Sequence, residues 1–89
     1  MDAQFDAQLS EGVLAFNSEA SLYCQGISDM VAQEYARNYA RMLQNRAEGI
    51  EFSLPHVPYG MFEPNRNLIR TTLERMSKKY FSGSIKRST

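Results

Sequence analysis

Val31, Tyr35, Tyr39 and Met42 recur at intervals of 4, 4 and 3. That spacing keeps returning to one side of a helix, so it predicts an amphipathic helix over residues 29–48. Beside the stripe run Ala32, Ala36, Ala40, Leu43 and Ala47. Small residues four apart let a second helix approach closely. Ser28 is the expected N-cap, its hydroxyl accepting from a free N–H of the first turn. Asp29 and Glu34 suit the positive end of the helix dipole, and Arg41 and Arg46 the negative end. Gly49 fits the left-handed position of a Schellman stop, followed by Ile50.

A second stripe, Ile69, Leu73, Met76 and Tyr80, recurs at 4, 3 and 4, with Leu68 and Thr72 widening it. It predicts a helix over 64–81. Pro64 fits the first helical position, where its missing N–H costs nothing. Arg70, Glu74 and Lys78 make a charge ladder along the exposed side. Gly83 is the expected stop, and residues 84–89 the expected flexible polar tail.

The first 27 residues are less regular. Phe5, Leu9, Val13 and Phe16 are spaced 4, 4 and 3 and predict a short helix in spite of Gly12. Asn17 and Ser18 read as a break before a segment with Leu22, Tyr23 and Cys24. Gly26 leaves open whether residues 18–48 form one helix or two.

Between the long helices, Gly49 to Glu63 is the irregular stretch, with Pro55, Pro58 and the adjoining Pro64. Helix–helix connections usually take about 2–8 residues, and this one is longer. It also carries Phe52, Leu54, Val57, Tyr59, Met61 and Phe62, so it must pack on the helices or on a partner. The expected architecture is all-α. A single small bundle over 1–83 holds two long antiparallel helices, a short N-terminal helix and a long proline- and aromatic-rich loop.

Length and composition narrow the classes. Eighty-nine residues allow one domain, and 43% hydrophobic content is too apolar for a disordered chain. No run reaches the roughly 18 apolar residues that cross a bilayer. The start, Met1-Asp2-Ala3-Gln4-Phe5-Asp6, carries acids where a signal peptide carries bases. The expected setting is therefore cytoplasmic, nuclear or viral. Ten basic residues balance ten acidic ones, but unevenly. Residues 1–62 hold eight acids against three bases, a net of −5, and residues 63–89 seven bases against two acids, a net of +5. Two such halves can pair between copies or fold against each other within one copy.

Catalytic and metal chemistry find little support. One histidine and one cysteine cannot make a structural zinc set, so no metal is expected. Cys24 and His56 would form a dyad only if the fold brought them together, and they read instead as a buried thiol and a loop histidine. Neither a phosphate-cradling glycine loop nor a dinucleotide fingerprint is present, so no cofactor is expected. A chain this size has little room for a pocket of about 300 Å³ or more. The expectation is a non-enzyme.

Two functions remain. The first is a protein-interaction module (an adaptor, inhibitor or assembly subunit) that self-associates or binds a larger protein. Its anchors would be Tyr59, Met61 and Phe62, residue types that bind strongly when presented on a loop, with Arg66 and Arg70 as a charged rim. The alternative is nucleic-acid binding through Arg66, Arg70, Arg75, Lys78, Lys79, Lys86 and Arg87, a basic cluster of the kind phosphates require. A helix-turn-helix centred on Gly26 fits poorly, because the helix that would enter the groove begins with Asp29, Gln33 and Glu34.

Overall fold

The structure, a computed structural model, describes the backbone of residues 3–87 and the side chains of residues 9–81. Three helices form, α1 (Ala3–Gln25), α2 (Met30–Ala47) and α3 (Glu63–Arg87), and among the described residues there is no strand.

α1 is one unbroken helix of 23 residues rather than a short one. Asn17 and Ser18 do not break it because both lie on its solvent side, where they need no partner in the core. The buried stripe continues past them through Phe16, Ala20 and Cys24. α1 stops at Gly26, whose N–H reaches the carbonyls of Leu22 and Tyr23, each at 3.2 Å. Two helices therefore cover residues 18–47.

Asp29, not Ser28, caps α2: its Oδ1 accepts from the Val31 N–H at 2.9 Å. A carboxylate caps as well as a hydroxyl, and its charge adds a favourable interaction with the helix dipole. At the other end the expected Schellman stop forms. The Gly49 N–H bonds the Arg46 carbonyl at 3.2 Å, the Ile50 N–H bonds that of Asn45 at 2.9 Å, and Gly49 takes a φ of 74°.

α3 begins one residue earlier than expected, with the Phe62 carbonyl accepting the Arg66 N–H at 3.1 Å and Pro64 second in the helix. It runs through Gly83 to Arg87. A glycine inside a helix costs only about 1 kcal/mol and need not end it. The backbone of residues 84–87, read as part of a polar tail, continues the helix, and residues 88 and 89 lie outside the described residues.

The core is built by all three helices. Phe16 and Phe81 meet with ring centroids 5.0 Å apart, and Leu43, Leu73 and Ser77 are fully buried around them. Gly12 is buried where the backbone of α1 approaches that of α3, and Ala36 is fully buried on α2. The Ser77 hydroxyl is satisfied by the Glu74 carbonyl at 2.8 Å, which makes its burial tolerable. Leu68, expected to widen the buried face of α3, is exposed instead.

The expected antiparallel pairing of the two long helices is not what forms. Along α2, Ala32 lies beside Asn65 and Ile69, Tyr35 beside Arg66 and Arg70, and Tyr39 bonds Glu74. Residue numbers rise together, so α2 and α3 run in the same direction. α1 runs against both, since Gly12 faces Tyr80 and Tyr23 lies near Asn65 and Ile69. The reason is the connection. α2 is about 27 Å long at ~1.5 Å per residue. Fifteen connecting residues, 48–62, reach about 50 Å when extended. They run back along α2, with Glu51 to His56 beside Asn38, Arg41 and Asn45, then Leu54 to Val57 beside Tyr35 and Tyr39. The chain thus returns to the start of α2 before α3 begins. Of the apolar side chains on this path only Met61 packs against the core, while Phe52, Leu54, Val57, Tyr59 and Phe62 stay exposed.

Candidate functional site

One end of the bundle gathers the end of α1 and the starts of α2 and α3. The last turn before α3 is Pro58-Tyr59-Gly60-Met61, closed by the Met61 N–H on the Pro58 carbonyl at 3.2 Å. Gly60 has a φ of 86° while Tyr59 does not enter the positive region, which makes the turn type II. This geometry throws Tyr59 wholly into solvent. Met61 folds the other way, half-buried against the core, and Phe62 turns out again at 73% exposure. The three expected anchors therefore separate: Met61 holds the loop down, and Tyr59 and Phe62 are presented. Leu22, Met30 and Leu68 are also exposed on the three segments that meet here.

Arg66 and Arg70, one turn apart on α3, flank a cleft of about 240 Å³. Tyr35 and Tyr39 of α2 and Leu54, Pro55 and Val57 of the connection form the other walls. Tyr39 donates its hydroxyl to Glu74 Oε1 at 2.9 Å. Burial pushes the Tyr39 phenol above its ordinary pKa, the bond to Glu74 adds to this, and Arg70 opposes it. Burial also raises Tyr35, against the nearby charges of Arg70 and Arg66. Arg66 is half-buried, with a loose contact to Glu63 at 3.7 Å. Its Nε is buried with no hydrogen-bond partner among the described residues. The sequence reading placed both tyrosines on the apolar stripe of α2. The signal it passed over is that a buried phenol needs somewhere for its hydroxyl to go.

The basic residues proposed for nucleic acid do not share one strip. Arg75 lies about 180° round the helix from Arg66 at ~100° per residue. Lys79 is engaged at α1, where it contacts Glu19 at 3.4 Å and sits 5.1 Å from the Tyr80 ring centroid. Arg75 and Lys78 are exposed, and the side chains of Lys86 and Arg87 lie outside the described residues. Among the described residues, one ion pair joins the acidic first part of the chain to the basic last part, Glu19 with Lys79.

Cys24 is buried in the core, and burial raises its thiol pKa against the opposing charge of Arg37. His56 is exposed in an open cleft of about 450 Å³ beside Asn38, Arg41 and Asn45. The fold does not bring the two together. That cleft lies between α2 and residues 51–56 of the connection, and a second open groove of about 440 Å³ lies at Leu9, Val13 and Glu48; both are larger than a chain this short was expected to hold. Among the described residues, no group of three or more His, Cys, Asp or Glu side chains is placed to hold a metal, and no helix is long and apolar enough to cross a membrane. No protein-family model, curated protein or solved structure matches the chain.

Proposed function

We propose that the chain is a non-enzymatic protein-interaction module that docks a larger protein through the apolar end of its bundle. The observation that carries this reading is the type II turn that exposes Tyr59 and Phe62 while seating Met61. Two aromatic side chains held in water by a defined turn are a standing cost in the free protein, offset when a partner covers them. Arg66 one helical turn after Phe62, and Arg70 a turn further along α3, favour a partner surface that is apolar at its centre and acidic at its edge.

The test is capture from host extract, with and without nuclease treatment, by the immobilised chain, identification of the captured protein, and rebinding with both components purified. The reading expects a purified partner to bind the parent chain and not Tyr59→Ala/Phe62→Ala, with helicity by circular dichroism unchanged. Capture that vanishes with nuclease favours nucleic acid. A concentration-dependent dimer by light scattering, lost in the same double variant, favours a second copy as the occupant.

A further inference from the structure

We infer that the cleft between α2, α3 and the connection is a receptor site for a carboxylate carried beside an apolar group, as an acidic–apolar stretch of a partner protein presents it. For the source of that carboxylate the inference rests on the docking reading above. The site itself stands on its own geometry.

Its walls divide by chemistry. Leu54, Pro55 and Val57 supply an apolar side, and Arg66 and Arg70 supply two guanidiniums at i and i+4. A guanidinium offers a planar fork of donors that matches a carboxylate, which a lysine cannot do. Arg66 holds a buried Nε–H that no described group accepts, and its one ion-pair contact, Glu63, is long and mostly in solvent. Buried donors are rarely left without an acceptor. Arg70 has no ion pair within 4.0 Å among the described residues. The other nearby carboxylate, Glu74, is held by the Tyr39 hydroxyl. An incoming carboxylate therefore meets one guanidinium that touches only the Tyr39 hydroxyl and pairs with no carboxylate, and a half-engaged one. The volume of about 240 Å³ admits a carboxylate with its adjoining side-chain carbons, not a large cofactor.

The test uses benzoate, a carboxylate on an apolar ring, with benzamide as its neutral counterpart and inorganic phosphate as a bare anion. Each is titrated into the full chain by ¹H–¹⁵N NMR, following the arginine Nε–H and backbone signals. Benzoate is expected to give saturable shifts at Arg66 and Arg70 and at Tyr35 and Tyr39. Benzamide and phosphate should bind at least tenfold more weakly. Arg70→Gln, a change at an exposed position, should abolish the benzoate shifts and leave the backbone spectrum otherwise intact. Arg66→Gln should weaken them. Equal shifts from benzoate and benzamide, shifts mapping elsewhere, phosphate binding as well as benzoate, or indifference to Arg70→Gln would each overturn the assignment. Benzoate binding that survives in Tyr59→Ala/Phe62→Ala while partner binding is unaffected by that variant sinks the docking reading alone. Partner binding lost in that variant without any benzoate site sinks the cleft alone.

Discussion

Gly12 of α1 lies against the backbone of Tyr80 in α3, so closely that a Cβ at position 12 would stand 2.8 Å from the Tyr80 carbonyl oxygen. This contact explains why a helix tolerates glycine in its middle. The helix axis can approach α3 only where no side chain intervenes, and the neighbouring Phe16–Phe81 pair closes around the same place.

Gly12→Ala should therefore lower stability, although alanine is the better helix former by about 1 kcal/mol. A carbonyl oxygen cannot swing away as a flexible side chain can, so α1 and α3 must separate. Gly26→Ala is the control: there a Cβ meets nothing closer than the Tyr23 carbonyl at 3.5 Å. Thermal denaturation followed by circular dichroism should show a drop of several degrees for Gly12→Ala and none of that size for Gly26→Ala.

Cys24 is 2% exposed and packs in the core with Phe16 and Ala20. Burial holds its thiol above the ordinary cysteine range, which disfavours the reactive thiolate. A thiol-specific reagent at neutral pH should label the native chain only at the rate at which the chain opens, and label the denatured chain at once. Immediate stoichiometric labelling of the native chain would remove Cys24 from the core.

Glu19 accepts from the Tyr80 hydroxyl at 2.6 Å and from Lys79 at 3.4 Å. The Tyr80 bond chiefly holds the carboxyl below its ordinary value of 4.5; desolvation opposes it, and the bond and charge of Lys79 add smaller downward contributions. A depressed folded-state pKa means that this stabilisation is present above pH 4.5 and is lost as the pH falls through the lower folded-state value. Denaturant midpoints measured from neutral pH down to acid should fall more steeply for the parent chain than for Glu19→Gln. Parallel curves would show that the Glu19–Tyr80 bond contributes nothing.

The parallel course of α2 and α3 depends on the length of the connection. Deleting residues 50–59 leaves five connecting residues, which span less than about 20 Å, short of the ~27 Å return along α2. The deletion should abolish NMR contacts between Ala32 and Ile69 and the cooperative melt with them. Adding a few Gly-Ser residues after Ile50 should be tolerated, since closure cost grows slowly with loop length. An intact melt and intact contacts after the deletion would show that α3 can be reached another way.

Periodicity revealed α2 and α3 because both carry large side chains at regular intervals: Tyr35, Tyr39 and Met42, then Ile69, Leu73 and Met76. α1 was cut short in the sequence reading because its buried stripe passes through Ala20 and Cys24, small residues that signal little, while Asn17 and Ser18 beside them suggest a turn. The direction of α3 was hidden for a different reason. Stripe spacing shows which side of a helix is buried but not which way its neighbour runs, and only the length of the 48–62 connection carried that information. At the candidate site, Tyr59 and Phe62 were legible as aromatics flanking a Pro–Gly turn, whereas the opposite turn of Met61 follows from the type II geometry around Gly60. The cleft was not legible, because Tyr35 and Tyr39 come to Arg66 and Arg70 only through the parallel packing.

The central claim is that the apolar end of the bundle, presented by Tyr59 and Phe62, is where a partner protein docks. The most direct measurement is the dissociation constant of the purified captured partner for the parent chain and for Tyr59→Ala/Phe62→Ala, compared at equal helicity and melting temperature. The account predicts at least about a 30-fold loss, as expected for two aromatic anchors worth ~2 kcal/mol or more together. An unchanged dissociation constant, with both proteins folded, would contradict it.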